Sequence, residues 1–286
     1  MSGLRIATDS TADVPAGLAA DLQIVVVPCQ VFWGEQVYRD GIDLAPQQFY
    51  DKLARSVDLP KTSQPPVSRF VETYHRLLDL EGSEAVISIH VAGNLSGTVN
   101  AAWTAAQAQL DPSRIEVIDS GQISMGIGWA VIRAARMARA GATRDEITLS
   151  VQEMLPNLRG AAMIDTLDNL YKGGRISQVT AALGTVLKVK PLISIQEGHI
   201  RVTVKVRTRS RALKRLVTMV QSWGPLAEVA VLHTGAEGLA LEFKAMIEDL
   251  APYREIMVQP AGPALTTHLG LGAVGVCAVL AGESQV

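Results

Sequence analysis

Small hydroxyl side chains recur at the ends of apolar runs in this sequence: Ser10, Thr62, Ser63, Ser96, Thr98, Ser120 and Ser124. Serine and threonine hydroxyls grip a carboxylate or phosphate through charge-assisted hydrogen bonds. Two further side chains with anion chemistry stand in glycine-rich surroundings, Arg175 after Gly173-Gly174 and His268 before Gly270 and Gly272. An arginine fork binds a planar oxyanion bidentately. None of these serines has a histidine general base beside it in sequence, and no Gly-x-Ser-x-Gly, Walker A or His-Glu-x-x-His pattern occurs. The five histidines, His75, His90, His199, His233 and His268, lack metal-ligand spacing. His75 falls on a helical stretch as a surface residue, His90 alternates into a strand and packs, and His233 and His268 lie near strand ends. Gly270-Leu-Gly-Ala-Val-Gly275 matches the dinucleotide fingerprint, which requires a following helix and a distant acid; only eleven residues remain after it. Taken singly, each hydroxyl, Arg175 and His268 is more readily a cap, a turn or a salt-bridge residue than a ligand.

These residues need elements to bring them together. Residues 85–91 (AVISIHV) have the length and β-branched content of a buried strand. The run breaks at Gly93-Asn94, and Leu95-Ser96-Gly97-Thr98 leads into an alanine-rich helix. Strand, small-residue turn and helix is how an open α/β sheet builds a crevice at its strand ends. The helix start offers unpaired N–H groups and a positive dipole end, so an anion is its natural guest. Ser96 either caps that helix or gives its hydroxyl to the guest.

Apolar runs predict further strands at 4–8, 23–27, 115–118, 161–164, 229–232 and 256–258. Hairpins are expected at 31–38, turning at Gly34, and at 190–204, turning through Glu197-Gly198. Helical spacing covers 45–55, 67–78, 125–140, 144–154, 213–220 and 239–250, with a stop and a cap at Gly141-Ala142-Thr143. Residues 61–66 (KTSQPP) read as a rigid polar loop, and residues 262–272 as a glycine-rich loop before an apolar strand. The pattern restarts near 155, which predicts two α/β domains, 1–155 and 156–286.

With 286 residues, 48% of them hydrophobic, a substantial core is available. The net charge of −2 carries no nucleic-acid footprint. Cys29 and Cys277, far apart, form neither a disulfide framework nor a zinc pattern and fit a reducing cytoplasm. No basic segment followed by an apolar one marks a signal peptide. The most apolar run, 269–281, falls short of the roughly 20 residues of a membrane helix and holds three glycines. Transient membrane contact is compatible with this composition.

Seven dispersed motifs, in order across nearly the whole chain, resemble the DegV family. They are Thr8-Asp9-Ser10-Thr11-Ala12-Asp13, Thr62-Ser63-Gln64-Pro65, Leu95-Ser96-Gly97-Thr98, Asp165-Thr166-Leu167, Gly173-Gly174-Arg175-Ile176, Lys190-Pro191, and Gly262-Pro263 followed by Thr267-His268. The resemblance implies a Rossmann-like N-terminal parallel sheet and a C-terminal α/β domain with a mixed sheet. Between them it implies an apolar tunnel holding a long-chain fatty acid. It implies a lipid-carrying subunit of bacterial fatty acid kinase, with no catalytic residue, metal or cofactor of its own. A separate ATP-binding kinase subunit phosphorylates the carboxylate, supplying acyl phosphate for phospholipid synthesis. By the same resemblance, Thr62 and Ser96 hold the carboxylate, with Ser63, Gly97 and Thr98 beside them in their motifs. Arg175 and His268, with the adjoining Thr267, stand near the head group or the phosphorylated product.

Two departures from the family pattern are visible. Ala92-Gly93-Asn94 occupies an approach where the family often has two serines, which removes a hydroxyl contact. The family's His-x-Gly-Pro-Gly is here His268-Leu-Gly-Leu-Gly, without the stiffening proline. The rival reading of the same crevice is a phosphotransferase or hydrolase acting on a small acid, which turnover by the isolated chain would favour. A purely regulatory protein would hold no lipid.

Overall fold

The computed structural model describes residues 3–175, 179–180, 189–196, 198–251 and 255–281; Ile176 and Glu197 lie outside them. The chain opens with β1 (Leu4–Asp9), α1 (Ala16–Asp21) and β2 (Val25–Val27). There follow β3 (Gln30–Trp33), β4 (Gln36–Arg39), α2 (Pro46–Arg55) and β5 (Lys61–Ser63). Next come α3 (Val67–His75), β6 (Ala85–His90), α4 (Thr98–Gln107), β7 (Ile115–Asp119), α5 (Met125–Arg139) and α6 (Arg144–Met154). The remainder is β8 (Leu158–Met163), α7 (Asp168–Lys172), β9 (Val179–Thr180), β10 (Lys190–Gln196), β11 (His199–Val206) and α8 (Arg209–Gln221). It ends with β12 (Leu226–His233), α9 (Glu237–Ile247), β13 (Met257–Pro260), α10 (Pro263–Leu269) and β14 (Val274–Leu280).

Among the described residues these strands form three sheets. The first is parallel, in the order β2-β1-β6-β7. A small antiparallel sheet runs β4-β3-β5, and a mixed sheet runs β13-β12-β14-β8-β10-β11-β9. Strand β6 is buried along its whole length, as a central parallel strand must be when helices cover both faces. Its alternation sends Ile87 and Ile89 into the core with α5 and α6, and Val86 into the core with α3 and α4. On that second face Ser88 and His90 are polar, and they are paired. Tyr74 donates to Ser88 Oγ (2.9 Å), Ser88 Oγ meets His90 Nε2 (2.7 Å), and His90 Nδ1 meets Asp9 Oδ2 (3.0 Å).

Helix α5 ties the two large sheets together. Its Met125, Ile127 and Trp129 share one core with Ile87 of the parallel sheet and with Leu232, Cys277 and Val279 of the mixed sheet. The Trp129 indole N–H donates to the Cys277 carbonyl (3.1 Å). The expected stop and cap before α6 are present: Gly141 turns at φ 87°, and Thr143 and Glu146 form a reciprocal capping box.

Several sequence expectations change in the folded chain. Residues 61–63 are not a loop, because β3 offers a free edge and β5 pairs with it, Thr62 opposite Val31. The glycine-rich stretch at 262–272 contains α10, started by Pro263 and stopped at Gly270 (φ 73°). Proline at the first position and glycine after the last is a helix signature that the glycine count obscured. The strand expected from Gln23 begins at Val25, since Gln23 adopts φ 55°. The apparent dinucleotide fingerprint enters strand β14, not a helix, so Gly275 lies within a ladder.

Candidate functional site

An elongated apolar space runs between the parallel and mixed sheets. One part spans about 710 Å³ of atom-free space, its opening to solvent included, and is bordered by Thr62, Ser63, Gln64, Ser96, Arg175 and His268. The other spans about 540 Å³, counted in the same way, over a floor of small residues, Gly160, Ala162, Gly275 and Cys277. Ile123, Ile193, Ile200, Leu265 and Leu269 border both parts, so the two lie side by side at an aliphatic waist, with the hydroxyl, guanidinium and imidazole groups of Thr62, Ser96, Arg175 and His268 bordering the first. Strand alternation explains the floor: Gly160 and Ala162 face the parallel sheet, while Ala161 and Met163 face the helices behind.

The polar end is assembled from four separate elements. β5 presents Thr62, whose Oγ1 lies 2.8 Å from Nε2 of His268 in the last turn of α10. Burial, with the Arg175 guanidinium beside it, pushes the His268 imidazole down to about 4, so it is neutral at pH 7. Its Nδ1 is buried and, among the described residues, unpartnered. When Nε2–H donates to Thr62, the threonine proton is free to donate into the cavity. Arg175 follows α7 and donates to backbone carbonyls, Nε to Leu95 (3.3 Å) and a terminal nitrogen to Gly173 (2.9 Å). Among the described residues it pairs with no carboxylate. A Cβ on Gly173 would fall 2.5 Å from His268 Nδ1, so only glycine lets the imidazole lie against that backbone.

Ser96 borders the cavity but does not cap α4. The N-cap is Gly97, and the Ser96 hydroxyl pairs with Thr98 Oγ1 (2.8 Å), with a long contact from the Thr98 amide (3.3 Å). Thr98 is itself fully buried, and Gly97 packs against the Gln64 side chain; neither borders the cavity. Thr267 turns away as well, its buried hydroxyl donating to Pro263 O (2.9 Å), because helical spacing puts it off the face that carries His268. Three polar bordering residues were given no site role in the sequence: Thr11, Cys29 and Gln64. Gln64 was signalled by its place in the Thr-Ser-Gln run. Cys29 was not, since a cavity wall leaves no local pattern; burial pushes its thiol well above the ordinary range.

Among the described residues no group of three or more His, Cys, Asp or Glu is placed to hold a metal ion. Among them, too, no helix is long and apolar enough to cross a membrane.

A family model described as an uncharacterised protein of the DegV family matches residues 3–281. A DegV domain-containing protein of Caldanaerobacter subterraneus is 35% identical over 279 residues, covering 96% of this chain and 98% of its own. Protein DegV of Bacillus subtilis is 34% identical over 278 residues, with 96% and 98% coverage. Among solved structures, a Thermus thermophilus DegV family protein described by its fatty acid binding has a TM-score of 0.88 at 29% identity, covering 97% of this chain and 99% of that one. Bacillus subtilis DegV, described as a fatty acid binding protein, has a TM-score of 0.88 at 31% identity, with 98% and 100% coverage.

Proposed function

The chain belongs to the DegV family, and from that membership we propose that it is a non-catalytic carrier that holds a long-chain fatty acid and presents its carboxylate to a separate ATP-dependent kinase subunit. The observation that carries this reading is the polar-ended apolar cavity, with Thr62, Ser96, Arg175 and His268 at one end and aliphatic walls beyond. Each buried methylene contributes about 0.8 kcal/mol, so a long acyl chain is retained by burial alone and the few polar groups set its direction. Residues 1–155 and 156–286 are then the two halves of one cradle. The kinase moves the γ-phosphoryl group of ATP onto a carboxylate oxygen, giving acyl phosphate and ADP, which sets the working compartment as the cytoplasm. Loading and unloading through transient membrane contact fit this role.

Organic extraction of the purified protein, followed by mass spectrometry, should release close to one equivalent of long-chain fatty acid. A sample that yields none and also fails to take up added fatty acid overturns the reading.

Arg175 serves the head group in this reading. An acyl phosphate carries more negative charge than a carboxylate, and a guanidinium bonded, among the described residues, only to backbone carbonyls keeps its charge available for it. Arg175→Ala should keep fatty acid loading and melt within a few degrees of wild type, while kinase-coupled acyl phosphate formation falls about tenfold or more, a charged hydrogen bond contributing about 1.5–3 kcal/mol. A collapsed melting temperature would instead make Arg175 a structural residue.

A further inference from the structure

Two buried acids of the N-terminal half, Asp13 and Asp40, stand at the start of α10. We propose that Asp13 and Asp40 are positioning residues that latch α10, and with it His268, against the N-terminal half of the chain. The inference rests on the reading of the cavity as a fatty acid site. Helix α10 is one of the walls shared by both parts, through Leu265 and Leu269, and it carries His268 to Thr62.

Two carboxylates grip the start of this helix from the other half of the molecule. Asp13, in the turn after β1, accepts from the Gly262 amide (2.8 Å) and from the Ser124 hydroxyl (2.6 Å). Asp40, just past β4 and buried, accepts from the Ala264 amide (3.2 Å) and the Ser10 hydroxyl (2.7 Å). A Cβ on Gly262 would lie 3.1 Å from Asp13 Oδ1 and 3.5 Å from Asp40 Oδ1, so both acids close on the same glycine. Tyr50 adds a third tie, donating to the carbonyl of Ala261 (2.5 Å), and Gln259 donates to the Asp13 carbonyl (2.6 Å). Backbone strain falls at the same place: Asp13 (φ 51°) and Ser124 (φ 54°) are two of three described non-glycine residues with positive φ.

Two enclosed carboxylates facing one point repel when both are ionised. Burial, with the neighbouring acids adding to it, pushes Asp13 up to about 7 and Asp40 up to about 6. The other titratable groups bearing on the pair are Asp9, Cys29, Tyr50 and Cys277, all neutral or negative. The nearby His90 is engaged by Asp9. Protonation does not break the latch, because a carboxyl O–H donates to the serine oxygen while its partner oxygen keeps the amide. The raised values mean that the latch is strongest at low pH and weakens as pH rises through about 6 and about 7. The imidazole of His268, lowered to about 4, acts in the opposite direction, its contribution being complete above 6.5. Above pH 6.5 the carboxylates therefore act alone.

The test is release of bound oleate from the full chain to fatty-acid-free albumin at pH 6.5 and pH 8.5. Wild type should release several-fold faster at pH 8.5. Asp13→Asn, which keeps the shape, suits the left-handed backbone and carries no charge, should release slowly at both. Asp13→Ala should release fast at both. An Asp13→Asn protein with the wild-type pH step overturns the latch, as does an Asp13→Ala protein indistinguishable from wild type. If wild type takes up no oleate, it is the carrier reading that fails. Hydrogen exchange of the α10 amides in the same proteins then decides the latch: protection should fall with pH in wild type and stay level in Asp13→Asn, and the same fall in both overturns it.

Discussion

Thr62→Val and Ser96→Ala should each leave fatty acid bound and lower kinase-coupled acyl phosphate formation about tenfold to a hundredfold. Each hydroxyl bond to a charged oxygen contributes about 1.5–3 kcal/mol, and about 1.4 kcal/mol is a tenfold change in rate. Chain burial is untouched by either change, so retention should fall much less than turnover, which needs the carboxylate aimed at the kinase. Thr62→Val should be the more damaging. It keeps the β-branched shape that suits β5 but strips His268 Nε2 of its partner at 2.8 Å, so two head-group residues lose their orientation together. Ser96→Ala leaves α4 its N-cap at Gly97 but takes the partner of the fully buried Thr98 hydroxyl, so it should lose about 1–3 kcal/mol of stability, which the urea measurement reads separately from turnover. The two losses should be less than additive in the double variant, as groups sharing one ligand require. The measurements are extracted fatty acid per chain, urea stability and acyl phosphate formed with the kinase subunit. Single variants that are fully loaded and phosphorylated at the wild-type rate would show that both hydroxyls serve only their local turns.

The alternating strands and helices were legible because the sheets are buried and the buried strands read as apolar runs, β6 most clearly. What the sequence concealed depends on partners distant in the chain. β5 has three polar residues and is a strand only because the edge of β3 pairs with it. α10 is seven residues long, too short for a periodic stripe to stand out, and is fixed by contacts from Asp13, Asp40 and Tyr50 some two hundred residues away. The site shows the same division. Thr62, Ser96, Arg175 and His268 stood out by residue type and motif, and they border one cavity. Thr267 was included for adjacency alone, and helical geometry turned it aside. Nothing local in the sequence marks Tyr50, Asp13 or Asp40, whose polar atoms reach the opposite half of the molecule.

The largest expected loss of stability lies at Asp9. It is fully buried and accepts from the Val91 amide (3.1 Å), the Thr11 amide (3.0 Å) and the Thr11 hydroxyl, besides facing His90 Nδ1 (3.0 Å). Asp9→Ala leaves these donors and the chain through Ser88 to Tyr74 without their acceptor, at a cost of about 3–5 kcal/mol, since breaking a buried pair on one side strands the other. Burial pushes the Asp9 carboxyl up, but the His90 bond and charge, with Thr11 and Val91, more than offset it, and the acid is held below its ordinary 3.8. A lowered value means that the ionised form contributes stability above pH 3.8, and that this is lost as the pH falls through the folded-state value. Asp9→Asn keeps the shape and one acceptor oxygen but not the charge, so its deficit should be large at pH 7 and should narrow below pH 4. Urea unfolding of wild type and both variants at pH 7 and pH 3.5 measures this. A deficit for Asp9→Ala under 1 kcal/mol at pH 7, or one for Asp9→Asn that does not change with pH, would show that the network is not held by the Asp9 charge. Thr11 and Val91, which Asp9 holds, both border the cavity, so fatty acid loading of Asp9→Asn should fall together with its stability at pH 7.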